Sequence, residues 1–250
     1  MPPNSPDHTT AVALYGVRDH LADDPLATLE RLARIGFRHA EPFGITERLD
    51  SLKSARQATG FTFATAHSGL IGHDTGLVFD AANELGVSTV IHPFTEPDLW
   101  REPADLDGIA EALNAMVPDA TSRGLRLAYH NHWWEVKNRI GDRTALEYFA
   151  DRLDPAIVLQ VDTYWAAVGG EAPEALLKRL GDRVVALHIK DGDLSLDGTG
   201  QTPAGDGRVD IPPVLAAAPE AQRIIEFDSF DGDVFQAVTD SLTYLRRVDR

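Results

Sequence analysis

Eight short runs rich in β-branched and aromatic residues recur along the chain, and each is followed by a longer amphipathic segment. The runs are VALYGV, FRHAEP, FTFATAH, STVIHP, LRLAYHNH, IVLQVD, VVALHIK and RIIEFD. Their length and patterning read as strands, and the segments between them carry helical spacing. Several of those segments end in Gly just before the next strand, which is a helix stop. In DDPLATLE an acid precedes a Pro, which is a helix start. Eight strand–helix units in 250 residues predict one α/β domain, a (β/α)8 barrel. A doubly wound sheet is the alternative, because strand order is not written in a single sequence. No glycine-rich phosphate loop follows the first strand, which weakens the nucleotide-binding form of that alternative. No linker or low-complexity stretch divides the chain. The barrel is expected over residues 11–250, and residues 1–10, MPPNSPDHTT, are expected to form a short disordered tail. That tail has neither the basic nor the apolar region of a signal peptide.

Composition narrows the partners. The net charge of −16 makes nucleic acid and anionic membranes poor partners. There is no apolar run of about 18 residues, so no membrane span is expected. The absence of cysteine removes disulfides, thiolate ligands and cysteine nucleophiles together, and fits a cytoplasmic protein.

Strand side chains alternate with a period of two. In LRLAYHNH, Leu125, Leu127 and Tyr129 should face the helices, which turns Ala128, His130 and His132 into the barrel. In IVLQVD the inward residues are Gln160 and Asp162. In VVALHIKD, Val185, Leu187 and Ile189 should face outward and His188 and Lys190 inward. In RIIEFD, Glu226 and Asp228 point in. Each inward ionisable group lies near the C-terminal end of its strand, the face on which barrel enzymes carry their sites. His130, Asp162, His188 and Glu226 therefore meet on one rim. Imidazole and carboxylate without sulfur suit a divalent ion, with Mn²⁺ the first choice and Zn²⁺, Co²⁺, Fe²⁺ or Mg²⁺ as alternatives. A metal-free network of His–carboxylate pairs is the competing reading.

The motifs LYGVRD, GFRHAEPFG, AHSGL, AYHNHWWE, VDTYWAAVGG, LHIKDGD, GDGRVDIPPVL and IIEFD, in this order, resemble the sugar-phosphate isomerase/epimerase group of xylose-isomerase-like TIM barrels. The resemblance runs from the first strand to the eighth. It implies a divalent ion on Glu, Asp, His and Glu at the ends of strands five to eight, which here fall on His130, Asp162, His188 and Glu226. The histidine at strand five departs from that pattern and marks a branch that reads YHNH there. Glu135, in the following loop, could restore a carboxylate by folding back. The resemblance also places Glu41 and His67, at the ends of strands two and three, against the substrate.

Other candidates have two readings each. His132 is either a base or substrate ligand, or a loop histidine. Trp133, Trp134 and Tyr164 either wall a sugar pocket, as aromatic faces can, or pack their loops, and one of the two tryptophans is expected only to pack. Lys190 either stabilises a developing oxyanion or pairs with Asp191 or Asp228. Arg18 either contacts substrate or pairs with Asp19, and His92 is a weaker candidate of the same kind. The run GDLSLDGTGQTPAGDGRVD is long for a barrel loop and is expected to be a flexible lid.

Three functions follow. The first is a metal-dependent isomerase or epimerase of a keto-sugar or keto-inositol, working through an enediolate, with Glu226 or a histidine moving the proton. The second is a lyase or hydrolase that follows the same enolisation with loss of a β-leaving group from a 3-keto-glycoside or an inosose. The third is a sugar-binding barrel without catalysis. Each takes a small keto-sugar or polyol as its ligand, and a homo-oligomer is left open.

Overall fold

The computed structural model describes residues 10–249, so nearly all of the tail expected at the N-terminus lies outside the described residues. The barrel strands are β1 (Ala11–Ala13), β2 (His39–Glu41), β3 (Thr65–His67), β4 (Thr89–His92), β5 (Arg126–His130), β6 (Val158–Asp162), β7 (Val184–Ile189) and β8 (Gln222–Ile225). All pair in parallel in the order β2-β1-β8-β7-β6-β5-β4-β3. The ring is completed between β2 and β3 by backbone bonds from Ala40 N to Thr62 O (3.1 Å), from Thr62 N to Arg38 O (3.0 Å) and from His67 N to Pro42 O (2.9 Å). The chain is a single (β/α)8 barrel, and the doubly wound alternative is excluded by this closure.

Local signals place the helices. Asp24 Oδ1 accepts from Ala27 N at 2.9 Å and Pro25 opens the helix Pro25–Ile35. Gly36 ends it at φ 117°, a conformation costly for any residue with a Cβ. The amphipathic segment after β4 divides into two helices, Pro103–Asn114 and Val117–Ser122, with a Pro in the first turn of each.

The strand faces follow the period of two. Leu127, Tyr129, Leu159, Val161, Leu187, Ile189, Ile225 and Phe227 pack outward with the helices. Inside the barrel lie Ala11, Ala13, Ala186 and Ile224 in one cluster and Ile91, Ala128 and Val158 in another. Val185 corrects the sequence expectation, because it packs against the inner clusters and not the helices. Leu159 pairs with Val184 and Gln160 with Ala186, so Val185 is an extra residue that resets the alternation. The first strand is also shorter than expected, because Leu14–Val17 wind into a 3-10 turn. Among the described residues no helix is long and apolar enough to cross a membrane.

The long run after β7 is tied down. Asp191–Gly192 pairs with Gln201–Thr202 as a small antiparallel ladder. The Asp191 carboxylate accepts from the backbone N–H groups of Gly192, Gly205 and Val209 at 2.9–3.1 Å. Three backbone donors on one buried carboxylate anchor the run at Gly192, Gly205 and Val209.

Candidate active site

Asp162 ends β6 and caps the helix Thr163–Val168, its Oδ1 accepting from Trp165 N at 2.9 Å. That bond leaves Oδ2 facing the barrel axis. There Lys190 Nζ, two residues beyond His188, lies 2.5 Å from Asp162 Oδ2 and 2.9 Å from Asp228 Oδ2, and also contacts Glu226 Oε2. Lys190 is fully buried. Burial acts to lower its pKa, but Asp162, Asp228 and Glu226 outweigh it and hold the ammonium charged well above the usual lysine range.

Three carboxylates share that single ammonium, and Glu226 and Asp228 shift in opposite directions. Burial first, then the charge of Asp228, pushes the Glu226 carboxyl up to about 7. Asp228 goes the other way, down to about 2, because Lys190 outweighs its burial. A buried surplus of negative charge of this kind suits a further cation.

The histidines are set by a second layer. Glu41 Oε2 accepts from Thr65 Oγ1 (2.6 Å) and Gln160 Nε2 (2.7 Å). Its Oε1 lies 2.6 Å from His188 Nε2 and 3.2 Å from His67 Nε2. Since Gln160 gives its amide nitrogen to Glu41, its Oε1 is the acceptor for His130 Nδ1 (2.8 Å) and His67 Nε2 (2.6 Å). His130 Nδ1 and His188 Nε2 are then donors, and their opposite nitrogens face Asp162. His130 Nε2 lies 4.0 Å from Asp162 Oδ2. His188 Nδ1 lies 4.0 Å from both Asp162 Oδ2 and Glu226 Oε2 and, though buried, has no hydrogen-bond partner. Donor atoms 4.0 Å apart can be bridged by an ion with bonds of roughly 2.0–2.3 Å. Asp162, His188 and Glu226 thus fit a divalent ion, with His130 beside them.

The cluster opens into a cleft of about 740 Å³ above the strand ends. His67, His130, His132, His188, Glu226 and Asp228 line its floor, and Tyr15, Phe43, Leu77 and Phe94 line its outer part. His132 stacks on Trp134 with ring centres 4.4 Å apart, and its Nδ1 has no hydrogen-bond partner.

A model of the xylose isomerase-like TIM barrel family matches residues 29–247. The chain belongs to that family. It is 31% identical over 99 residues to an inosose dehydratase of Bacillus anthracis, a stretch that is 39% of this chain and 30% of that enzyme. The chain spans 30–54% of the length of the curated relatives it matches. Among solved structures, a sugar phosphate isomerase/epimerase from Parabacteroides distasonis superposes with a TM-score of 0.78 at 21% identity, covering 98% of this chain and 96% of that one. A 3-keto-D-glucoside 4-epimerase from E. coli superposes at 0.69 with 19% identity, covering 96% and 99%. These two likenesses concern the fold.

On this xylose isomerase-like barrel, the residues singled out from sequence divide into two groups. His130, Asp162, His188, Lys190, Glu226, Glu41, His67 and His132 are brought together. His92 is not, because it shares the outward face of Val90, and its Nδ1 accepts from Leu70 N at 3.1 Å. Glu135 is fully buried outside the cleft, its oxygens accepting from Tyr129 Oη (3.0 Å) and His132 N (2.9 Å), so it does not fold back to the ion site. Tyr164 packs in the outer core. Trp133 lies under Lys137, and the neighbouring Trp134 is the ring that meets His132. Arg18 sits over the ring of Tyr15 and donates to its backbone oxygen, outside the lining of the cleft. Two contributors, Asp228 and Gln160, were placed on the inward face by the sequence but given no ligand or catalytic role. Asp228 shares the parity of Glu226, and Gln160 that of Asp162, so period two alone points to both.

Proposed function

We propose that the chain is an isomerase or epimerase of a keto-sugar or keto-inositol that works by enolisation. Asp162, His188 and Glu226 would hold a divalent ion, with His130 as fourth ligand or adjacent hydrogen-bonding group. The observation that carries this reading is the buried, unpartnered His188 Nδ1, aimed at two carboxylates. Such a nitrogen is costly to bury without a partner, and a carboxylate on its other nitrogen is the usual support of a metal-bound imidazole. When bound, a divalent ion supplies Lewis-acid stabilisation of negative charge developing on a substrate oxygen.

The chain's own groups do the rest. His132 lines the cleft; its Nδ1 is buried 3.8 Å from Glu135 Oε1, so the other ring nitrogen, Nε2, would take a proton from the carbon next to the carbonyl. Glu226 also lines the cleft and would return one. Lys190 keeps a positive charge beneath both carboxylates and limits their mutual repulsion. Trp134 holds the His132 ring in plane by stacking.

A second reading is a lyase that follows the same proton removal with loss of a β-leaving group. It is favoured by the imidazole at His130, which leaves one carboxylate and one histidine in unequal roles, and by the likeness to inosose dehydratase. A screen of keto-sugars and inososes in D₂O tests both. Deuterium beside the carbonyl of a recovered or epimerised sugar supports the first reading, and a dehydrated product supports the second. Absence of both across the panel would leave a sugar-binding barrel.

A further inference from the structure

The cleft is chemically divided, and the division bears on the substrate that this proposed activity would take. Five carboxylates line it, from Glu41, Glu47, Asp74, Glu226 and Asp228, with no lysine or arginine among the lining residues. Arg18 and Arg48 lie over the rings of Tyr15 and Phe43, 4.6 and 4.4 Å from the ring centres, and are not among the residues that line the cleft. A phosphoryl group carried in the outer part, away from the ion site, would meet the exposed carboxylates of Glu47 and Asp74 with no lysine or arginine among the lining residues to hold it. The outer part has the opposite character. Tyr15 and Phe43 meet edge to face at 5.2 Å, and Tyr15, Phe94 and Leu77 are 42%, 43% and 61% exposed. Large side chains exposed together at the mouth of a polar site mark a place for apolar ligand surface. The volume, about 740 Å³, leaves room beyond a single sugar ring.

We infer that the cleft takes an uncharged glycoside with an apolar, ring-bearing aglycone, the sugar on the histidine–carboxylate floor and the aglycone between Tyr15, Phe94 and Leu77. This rests on the reading of the floor as a sugar site, but its test needs no turnover. Calorimetry on the purified protein would compare phenyl β-glucoside, methyl β-glucoside, glucose and glucose 6-phosphate. The phenyl glycoside should bind about tenfold or more tighter than the methyl one, from burial of one ring. Glucose 6-phosphate should bind more weakly than glucose. Tyr15→Ala and Leu77→Ala should each shrink the phenyl advantage. Equal affinity for the phenyl and methyl glycosides, or tighter binding of the phosphate ester than of glucose, overturns the inference. A phenyl advantage alongside failure of every keto-sugar to exchange deuterium would leave the subsite standing and remove only the enolisation.

Discussion

The Nε2 of His188 lies 2.6 Å from Glu41 Oε1, and that contact decides which nitrogen of the ring faces Asp162 and Glu226. Burial acts to lower the pKa of His188, but the charge and hydrogen bond of Glu41 outweigh it and raise it above the usual histidine value. Glu41→Gln should therefore weaken divalent-ion affinity by roughly 10–100-fold, the usual range for loss of such a support. Asp162→Ala, which removes an oxygen ligand, should abolish tight binding. Ion titration of both variants checks this, and a full equivalent retained by Asp162→Ala after dialysis against chelator would refute the ligand set.

Lys190 and a divalent ion address the same oxygens, Asp162 Oδ2 and Glu226 Oε2. Lys190→Met should destabilise the metal-free protein by about 3–5 kcal/mol, the usual result of breaking a buried ionic cluster from one side. It should also bind the ion more tightly, because the tethered competitor is gone. Thermal melts with and without added ion would show a larger metal-induced rise in Tm for the variant than for wild type. An equal rise would mean that Lys190 does not compete.

His130 and His132 should separate in their effects. His130 ends β5 and His132 caps the short helix that follows, their ring centres are 5.2 Å apart, and only His130 approaches Asp162. His132→Gln should leave ion content intact and reduce turnover by roughly 10²–10⁴-fold. His130→Gln should weaken ion binding as well. The reverse pattern would exchange their roles.

His92 supplies a test away from the ion site. Burial lowers its pKa to about 4. The unfolded chain then binds the proton that the folded chain refuses between about pH 6.5 and pH 4, so stability falls as pH drops through that window. The loss attributable to this one residue is up to about 3 kcal/mol. His92→Asn, which keeps an acceptor for Leu70 N, should flatten the fall. Urea melts between pH 4 and pH 7 would show it, and an unchanged slope would mean that His92 is protonated in the folded state.

Strand parity carried most of the site. Asp162, His188 and Glu226 each lie on the inward face that alternation assigns to them, because each strand runs regularly up to its rim. It failed at Val185, where an extra residue shifts the register, and a bulge of that kind leaves no mark in composition. Loops were less legible. Glu135 looked free to turn toward the floor, but its three-residue distance from His132 makes it a capping acceptor for that backbone N–H. The choice between Trp133 and Trp134 depended on where a short helix begins, which two adjacent identical residues cannot specify. Length alone gave no sign of how the long run after β7 is anchored, since one carboxylate, Asp191, gathers the N–H group of its neighbour Gly192 and those of the remote Gly205 and Val209.

The central claim joins the ion on Asp162, His188 and Glu226 to proton removal beside a carbonyl. It is tested most directly by deuterium uptake into a 3-keto-glucoside or an inosose in D₂O, followed by mass spectrometry while the ion is counted in the same sample. Protein carrying one Mn²⁺ should introduce deuterium at the carbon next to the carbonyl, lose that activity on chelation, and regain it when the ion is returned. Uptake that persists undiminished in the stripped protein, or no uptake by the loaded protein with any keto-sugar or inosose, would contradict the account.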